Sequence, residues 1–238
     1  MDIFNSLAII SLAALIHASF QLSVSVLTLL SGHSLGAKHS QARLFRLTTS
    51  FVFGAGLMTV LLLSFISFIL TNTFGNIVPL GIWAAGCGLL IGVAVSVWLF
   101  YYRHEKKGTT LWIPRNMAEY LNRRTKPTKL SAEAFGLGLF SVIGEILFII
   151  APLAVTALVL TQLPPIWQLL GICIYTVISL LSLLIVWALI SNGHNLGKIQ
   201  KWRESNKYFL QFSAGLGLVV LGFFVYVVEI LGNSIGLI

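Results

Sequence analysis

Six long apolar stretches joined by short polar connections constrain this chain more than anything else in it. They run approximately from 7 to 30, 47 to 70, 77 to 102, 134 to 160, 166 to 190 and 209 to 231. A hydrocarbon core about 30 Å thick takes about 20 helical residues to cross, and each stretch meets that length. Of the 238 residues 57% are hydrophobic and only 9% charged, which is too apolar for a soluble domain. Open sheet edges would leave backbone groups unpaired in lipid. The expected fold class is therefore an all-α polytopic membrane protein with six transmembrane helices. Met1 to Ser6 carries no Lys or Arg, so the first stretch is expected to be a mature helix rather than a secretory signal.

The net charge of +8 raises the question of nucleic acid, and the placement of the charges answers it. Lys38, Arg43 and Arg46 lie between helices 1 and 2, and eight Lys and Arg from Arg103 to Lys129 lie between helices 3 and 4. Lys198, Lys201, Arg203 and Lys207 lie between helices 5 and 6, while Thr71 to Asn76 and Thr161 to Pro165 contain none. The positive-inside bias then puts the three basic loops in the cytoplasm and both termini outside, with the chain multi-pass in the cell (cytoplasmic) membrane. Basic loops beside a bilayer meet anionic lipid. The lipid bilayer is thus an expected partner and nucleic acid is not.

Gly32-His33-Ser34-Leu35-Gly36 matches the G-x-S-x-G pattern of a hydrolase nucleophile elbow. That motif needs a strand before the serine, a helix after it, and acid and histidine partners. Here it falls where helix 1 runs into a basic loop, and the one Asp of the chain, Asp2, lies upstream. We treat the match as fortuitous and the chain as no enzyme. Cys87 and Cys173 stand singly in helices 3 and 5, without the spacing of a zinc site or a disulfide framework. No cofactor is expected.

Three helices precede the long basic loop and three follow it, so the halves would insert with opposite orientation, as in inverted-topology repeats. The divisions are a first repeat over 1–102, a basic cytoplasmic loop over 103–133 and a second repeat over 134–238. An offset of 124 lays His17 on Ser141, Gln21 on Glu145 and Thr28 on Pro152, and an offset of 129 lays Ala85–Leu90 on Ala214–Val219. In helix 1, His17, Gln21, Ser25 and Thr28 recur at helical spacing and are expected to share one face. In helix 4, Ser141, Glu145, Pro152 and Thr156 do the same.

Gln21 and Glu145 both fall near mid-span, where polar groups are costly against lipid, so both faces are expected to turn inward around a central solute or ion site. A carboxylate at that depth needs a proton, a cation or a hydrogen-bond donor to offset its lost hydration. Glu145 is therefore the leading candidate for coupling, with Gln21, His17, Ser25, Thr28, Ser141 and Pro152 around it. Pro152 is expected to interrupt the backbone ladder of helix 4. The alternative role for Glu145 is a protonated tie to Gln21 or His17. Glu229 is placed at the outer end of helix 6, within reach of headgroups, and Thr176, Ser179 and Ser182 of helix 5 are expected to pack helices. In the long loop, Leu111 to Leu121 suits either a short interfacial helix starting near Pro114 or a solvated tether.

The segment Leu27 to Leu63, LTLLSGHSLGAKHSQARLFRLTTSFVFGAGLMTVLLL, resembles the first two membrane helices of the DsbD/CcdA family. AGLGLVVLGFF, Ala214 to Phe224, resembles that family's closing helix and that of the related LysE-type exporters. Reductant-conducting members of the family keep a reactive cysteine in helix 1 and another in helix 4. Here Leu22 occupies the first of these positions, and helix 4 has no cysteine. The resemblance thus implies a cysteine-free variant within the LysE-type transporter superfamily, exporting amino acids, metal cations or other small solutes.

The expected function is a secondary transporter that moves a small metal cation or amino-acid-like solute outward, coupled to protons through Glu145. The alternatives are a redox or cytochrome c biogenesis factor working with a thioredoxin-like partner, and a non-transporting membrane subunit that docks another protein.

Overall fold

The computed structural model describes residues 2–20, 22–35, 41–75, 77–100, 102–105, 108–111, 125, 128, 130–192, 202 and 205–232. Nine α-helices are described: α1 Ile3–Ser19, α2 Leu22–Leu35, α3 Gln41–Phe74, α4 Leu80–Phe100, α5 Ser131–Gly144, α6 Ile146–Thr161, α7 Pro165–Ser179, α8 Leu181–Ser191 and α9 Lys207–Val225. The last continues as a π-helical segment, Tyr226–Leu231.

Three of the six apolar stretches are single helices, and three are broken. Residues Ala42–Phe74, Leu80–Phe100 and Lys207–Leu231 are each long and apolar enough to cross a bilayer alone. The pairs α1/α2, α5/α6 and α7/α8 reach that length only together, bent by 46°, 79° and 52°. Helices 1, 4 and 5 of the sequence are therefore not the continuous rods expected of them. Helix 4 breaks at Glu145, not at Pro152: α6 runs through the proline from Ile146 to Thr161.

The breaks also correct the expected polar faces. His17 lies on α1 but Ser25 and Thr28 on α2, and Ser141 lies on α5 but Pro152 and Thr156 on α6. A shared face needs an uninterrupted helical period, and neither set has one. A second departure from the all-α expectation is an antiparallel ribbon, β1 Tyr102–Glu105 with β2 Gly108–Leu111, in register Tyr102 to Leu111 and Glu105 to Gly108. The expected interfacial helix near Pro114 falls outside the described residues.

α3 packs chiefly on α5, and α1 on α7; α4 packs on α9, and the broken helices 1 and 4 cross through α1 with α6 and α2 with α5. Ile9, Ile10, Phe51, Leu90, Ile149, Leu153, Tyr175 and Leu218 are fully buried at these crossings. The outer surface is equally apolar: Phe53, Leu57, Leu61, Phe65 and Phe68 stand exposed along α3. A water-soluble monomer rarely exposes so continuous an apolar stripe, and a membrane-embedded helix does so by necessity.

Candidate functional site

Part of the buried polar set, Ser23 and Glu145 among it, lies where the helices break. A broken helix leaves N–H groups at one new end and carbonyls at the other, and inside an apolar core each must find an acceptor or donor. Helix 1 loses its regular ladder between Ser19 and Leu22. On the exit side, Phe20 donates its N–H to the His17 carbonyl at 3.1 Å, and the Ser182 hydroxyl, in the first turn of α8, donates to the Ala18 carbonyl at 2.6 Å. On the entry side, the Ser23 N–H in the first turn of α2 donates to Glu145 Oε1 at 2.8 Å.

Glu145 is 4% exposed. It sits in the one-residue gap between α5 and α6, where its own N–H donates to the Val142 carbonyl at 3.1 Å. Its carboxylate therefore reaches the start of a half-helix contributed by the other end of the chain. A helix N-terminus carries about half a positive charge, so the seat suits an anion. This is not the expected tie to His17. The His17 imidazole instead meets the Tyr175 hydroxyl, Nδ1 to Oη 3.0 Å, and both side chains are buried. Gln21, the expected counterpart of Glu145, lies outside the described residues.

The other expected site residues are spread out. Ser141 donates to the Gly138 carbonyl of its own helix at 2.8 Å. Thr28 donates to the Ser25 carbonyl at 2.7 Å. Pro152 is buried in α6, one and a half to two turns beyond the break. Glu229 does not reach outward to headgroups: it is 2% exposed and its Oε2 accepts from Gln162 Nε2 at 3.4 Å within the π-helical segment. Thr176 and Ser179 bond carbonyls of their own helix, whereas Ser182 ties two helices together. Cys87 is buried beside the Gly222 carbonyl and Cys173 is exposed on α7. Ser34 lies in α2, with Ser31–Leu35 side chains outside the description. Among the described residues no three His, Cys, Asp or Glu side chains converge as a metal site would require.

Sequence reasoning missed Ser23 and Tyr175. Ser23 has no signal of its own, since its role follows from the break. Tyr175 stands three residues from the middle of the helix 5 span, and a phenol at that depth, with a hydroxyl that needs a partner, was the available clue.

No family model matches the chain, and no curated protein or solved structure is significantly similar to it.

Proposed function

We propose that this chain is a secondary transporter of a small solute, built from six spans in two inverted repeats and coupled to protons through Glu145. The observation that carries the reading is that helices 1 and 4 break at equivalent places, with the carboxylate at one break bonded to the backbone at the other. Discontinuous helices in corresponding positions of two halves are the mark of a mid-membrane solute site in transporters.

Packing supports the repeat. Exchanging helices 1, 2 and 3 with 4, 5 and 6, with the halves of the broken helices matched, turns the α1–α7 contact into α3–α5 and the α2–α8 contact into α3–α6, both of which occur; α1–α9 has a counterpart only between whole helices, as α4–α6. The resemblance to cysteine-free relatives of the DsbD/CcdA family, within the LysE-type superfamily, agrees in direction. In this reading the basic loops are cytoplasmic, both termini are outside, and one half rocks against the other across the helix 1–helix 4 crossing.

Proton movement in proteoliposomes tests the proposal, with wild type beside Glu145→Gln and amino acids and divalent metals added in turn. The expected result is a solute-dependent proton signal that Glu145→Gln abolishes while the variant stays folded. Unaltered coupled flux in the variant would remove Glu145 from the mechanism.

A further inference from the structure

We infer that the first turn of α2 is a carboxylate-binding subsite: Glu145 fills it, and the carboxylate of an amino-acid-like solute takes its place when Glu145 accepts a proton. The inference rests on the transport reading and narrows its substrate class.

The first observation is the way the seat is filled. α2 begins at Leu22 and runs fourteen residues, and first-turn N–H groups of a helix have no acceptor within it. The ordinary solution is a capping side chain from the adjoining residue. Here the acceptor for Ser23 is Glu145 Oε1, 122 positions away in the chain and on a separate helix. An occupant carried on another element can move away with that element while α2 stays intact.

The second observation is the Ser23 hydroxyl. The residue is 8% exposed, and its Oγ is buried without a hydrogen-bond partner. Buried hydroxyls in helices commonly bond a carbonyl one turn back, as those of Thr28, Ser141 and Thr161 do. Ser23 has the irregular break behind it instead of a helical turn. Its Oγ is three bonds from the nitrogen that holds Glu145, so Ser23 offers two donors at one place: an N–H already used and an O–H unspent. A carboxylate has two oxygens to meet them.

Charge then fixes the order of events. Two ionised carboxylates cannot share a low-dielectric seat. One proton converts the Glu145 carboxylate to a carboxylic acid, forming one O–H bond and breaking none in the protein. The Ser23 donors pass to the solute carboxylate, and the charge of the site is unchanged. Proton and solute carboxylate therefore bind together and cross together.

Calorimetric titration of the full-length protein in lipid nanodiscs tests this with acetate, glycine and lysine beside acetamide, glycinamide and lysinamide, and with zinc and manganese ions as cation probes. Buffers of different ionisation heat report the protons taken up. The expected result is that at least one carboxylate binds with uptake of about one proton, about tenfold or more tighter than its amide. Ser23→Ala, which keeps the backbone N–H, should weaken that carboxylate by a similar factor. Glu145→Gln should still bind it, without proton uptake. Equal binding of acid and amide, unchanged proton uptake in Glu145→Gln, binding of metal ions alone, or no binding by any probe would each overturn the subsite. Proton-coupled metal flux without carboxylate binding would overturn it and leave transport standing. Carboxylate binding without flux of any probe would do the reverse.

Discussion

Gly54 on α3 and Gly138 on α5 each lie against the other helix's backbone: a Cβ on Gly54 would strike the Phe135 carbonyl, and one on Gly138 the Phe51 carbonyl. Close backbone approach through small residues is how helices associate where lipid supplies no hydrophobic drive. Backbone cannot swing aside as a flexible side chain can. Gly54→Ala and Gly138→Ala are each expected to cost about 1–3 kcal/mol or more through overpacking. Gly136→Ala, whose Cβ would meet nothing within 4 Å, should be near neutral. Thermal unfolding of the three variants in detergent checks this, and equal stabilities would mean that the crossing is looser than described.

His17 and Tyr175 form a buried polar pair between α1 and α7. Tyr175→Phe removes the hydroxyl and leaves the imidazole nitrogen without that partner, at a cost of about 1–3 kcal/mol. Removing both polar groups should recover part of that loss, so His17→Leu combined with Tyr175→Phe is expected to be less destabilised than the two single changes added together. A double-mutant cycle on unfolding free energy measures the coupling. Full additivity would show that the contact contributes nothing.

The sequence made the six apolar stretches, the polar burden of His17 and Glu145, and the approach of helix 1 to helix 4 legible, because hydropathy and depth are written residue by residue. The breaks were not legible. Leu180 and Glu145 are ordinary helix formers by type, and Pro152, the conspicuous breaker, sits inside an unbroken α6. In lipid a proline is accommodated when neighbours satisfy the freed carbonyl, so its presence alone does not place a kink. The contact that holds the Glu145 side chain at the break lies 122 residues away and no local pattern encodes it; the one local hint was Gly144, a poor helix former at the end of α5. Glu229 was misread for the same reason. Its position near a helix end suggested headgroups, but its burial depends on Gln162 of another helix.

Ser182 supplies the donor for a carbonyl that the helix 1 break exposes, at 2.6 Å from Ala18. Ser182→Ala deletes that donor and should lower stability by about 0.6 kcal/mol, the average for a side-chain hydrogen bond between membrane helices. Ser182→Thr retains the hydroxyl and should restore most of it. The comparison is one of unfolding midpoints in detergent. A Ser182→Ala variant as stable as wild type, with Thr no different from Ala, would mean that water or another donor serves the Ala18 carbonyl equally well.

Topology and chemistry can be tested on one background. Cys87 is buried and Cys173 exposed on an apolar helix, on different elements and without a shared contact among those described. Thiolates are the reacting species in disulfide exchange, so a protein that works without cysteine chemistry tolerates Cys87→Ser with Cys173→Ser. That double variant is expected to retain coupled flux, and its loss with the fold intact would favour the redox alternative. Single cysteines placed on it at Lys38 and Lys201, in basic connections, and at Asn72 and Pro164, in connections without Lys or Arg, then report sidedness. With basic loops held inside, a membrane-impermeant maleimide added to intact cells should label Asn72→Cys and Pro164→Cys and spare Lys38→Cys and Lys201→Cys until the membrane is opened. The opposite pattern would invert the topology, and labelling of one basic loop but not the other would break the opposed orientation that the inverted repeat requires.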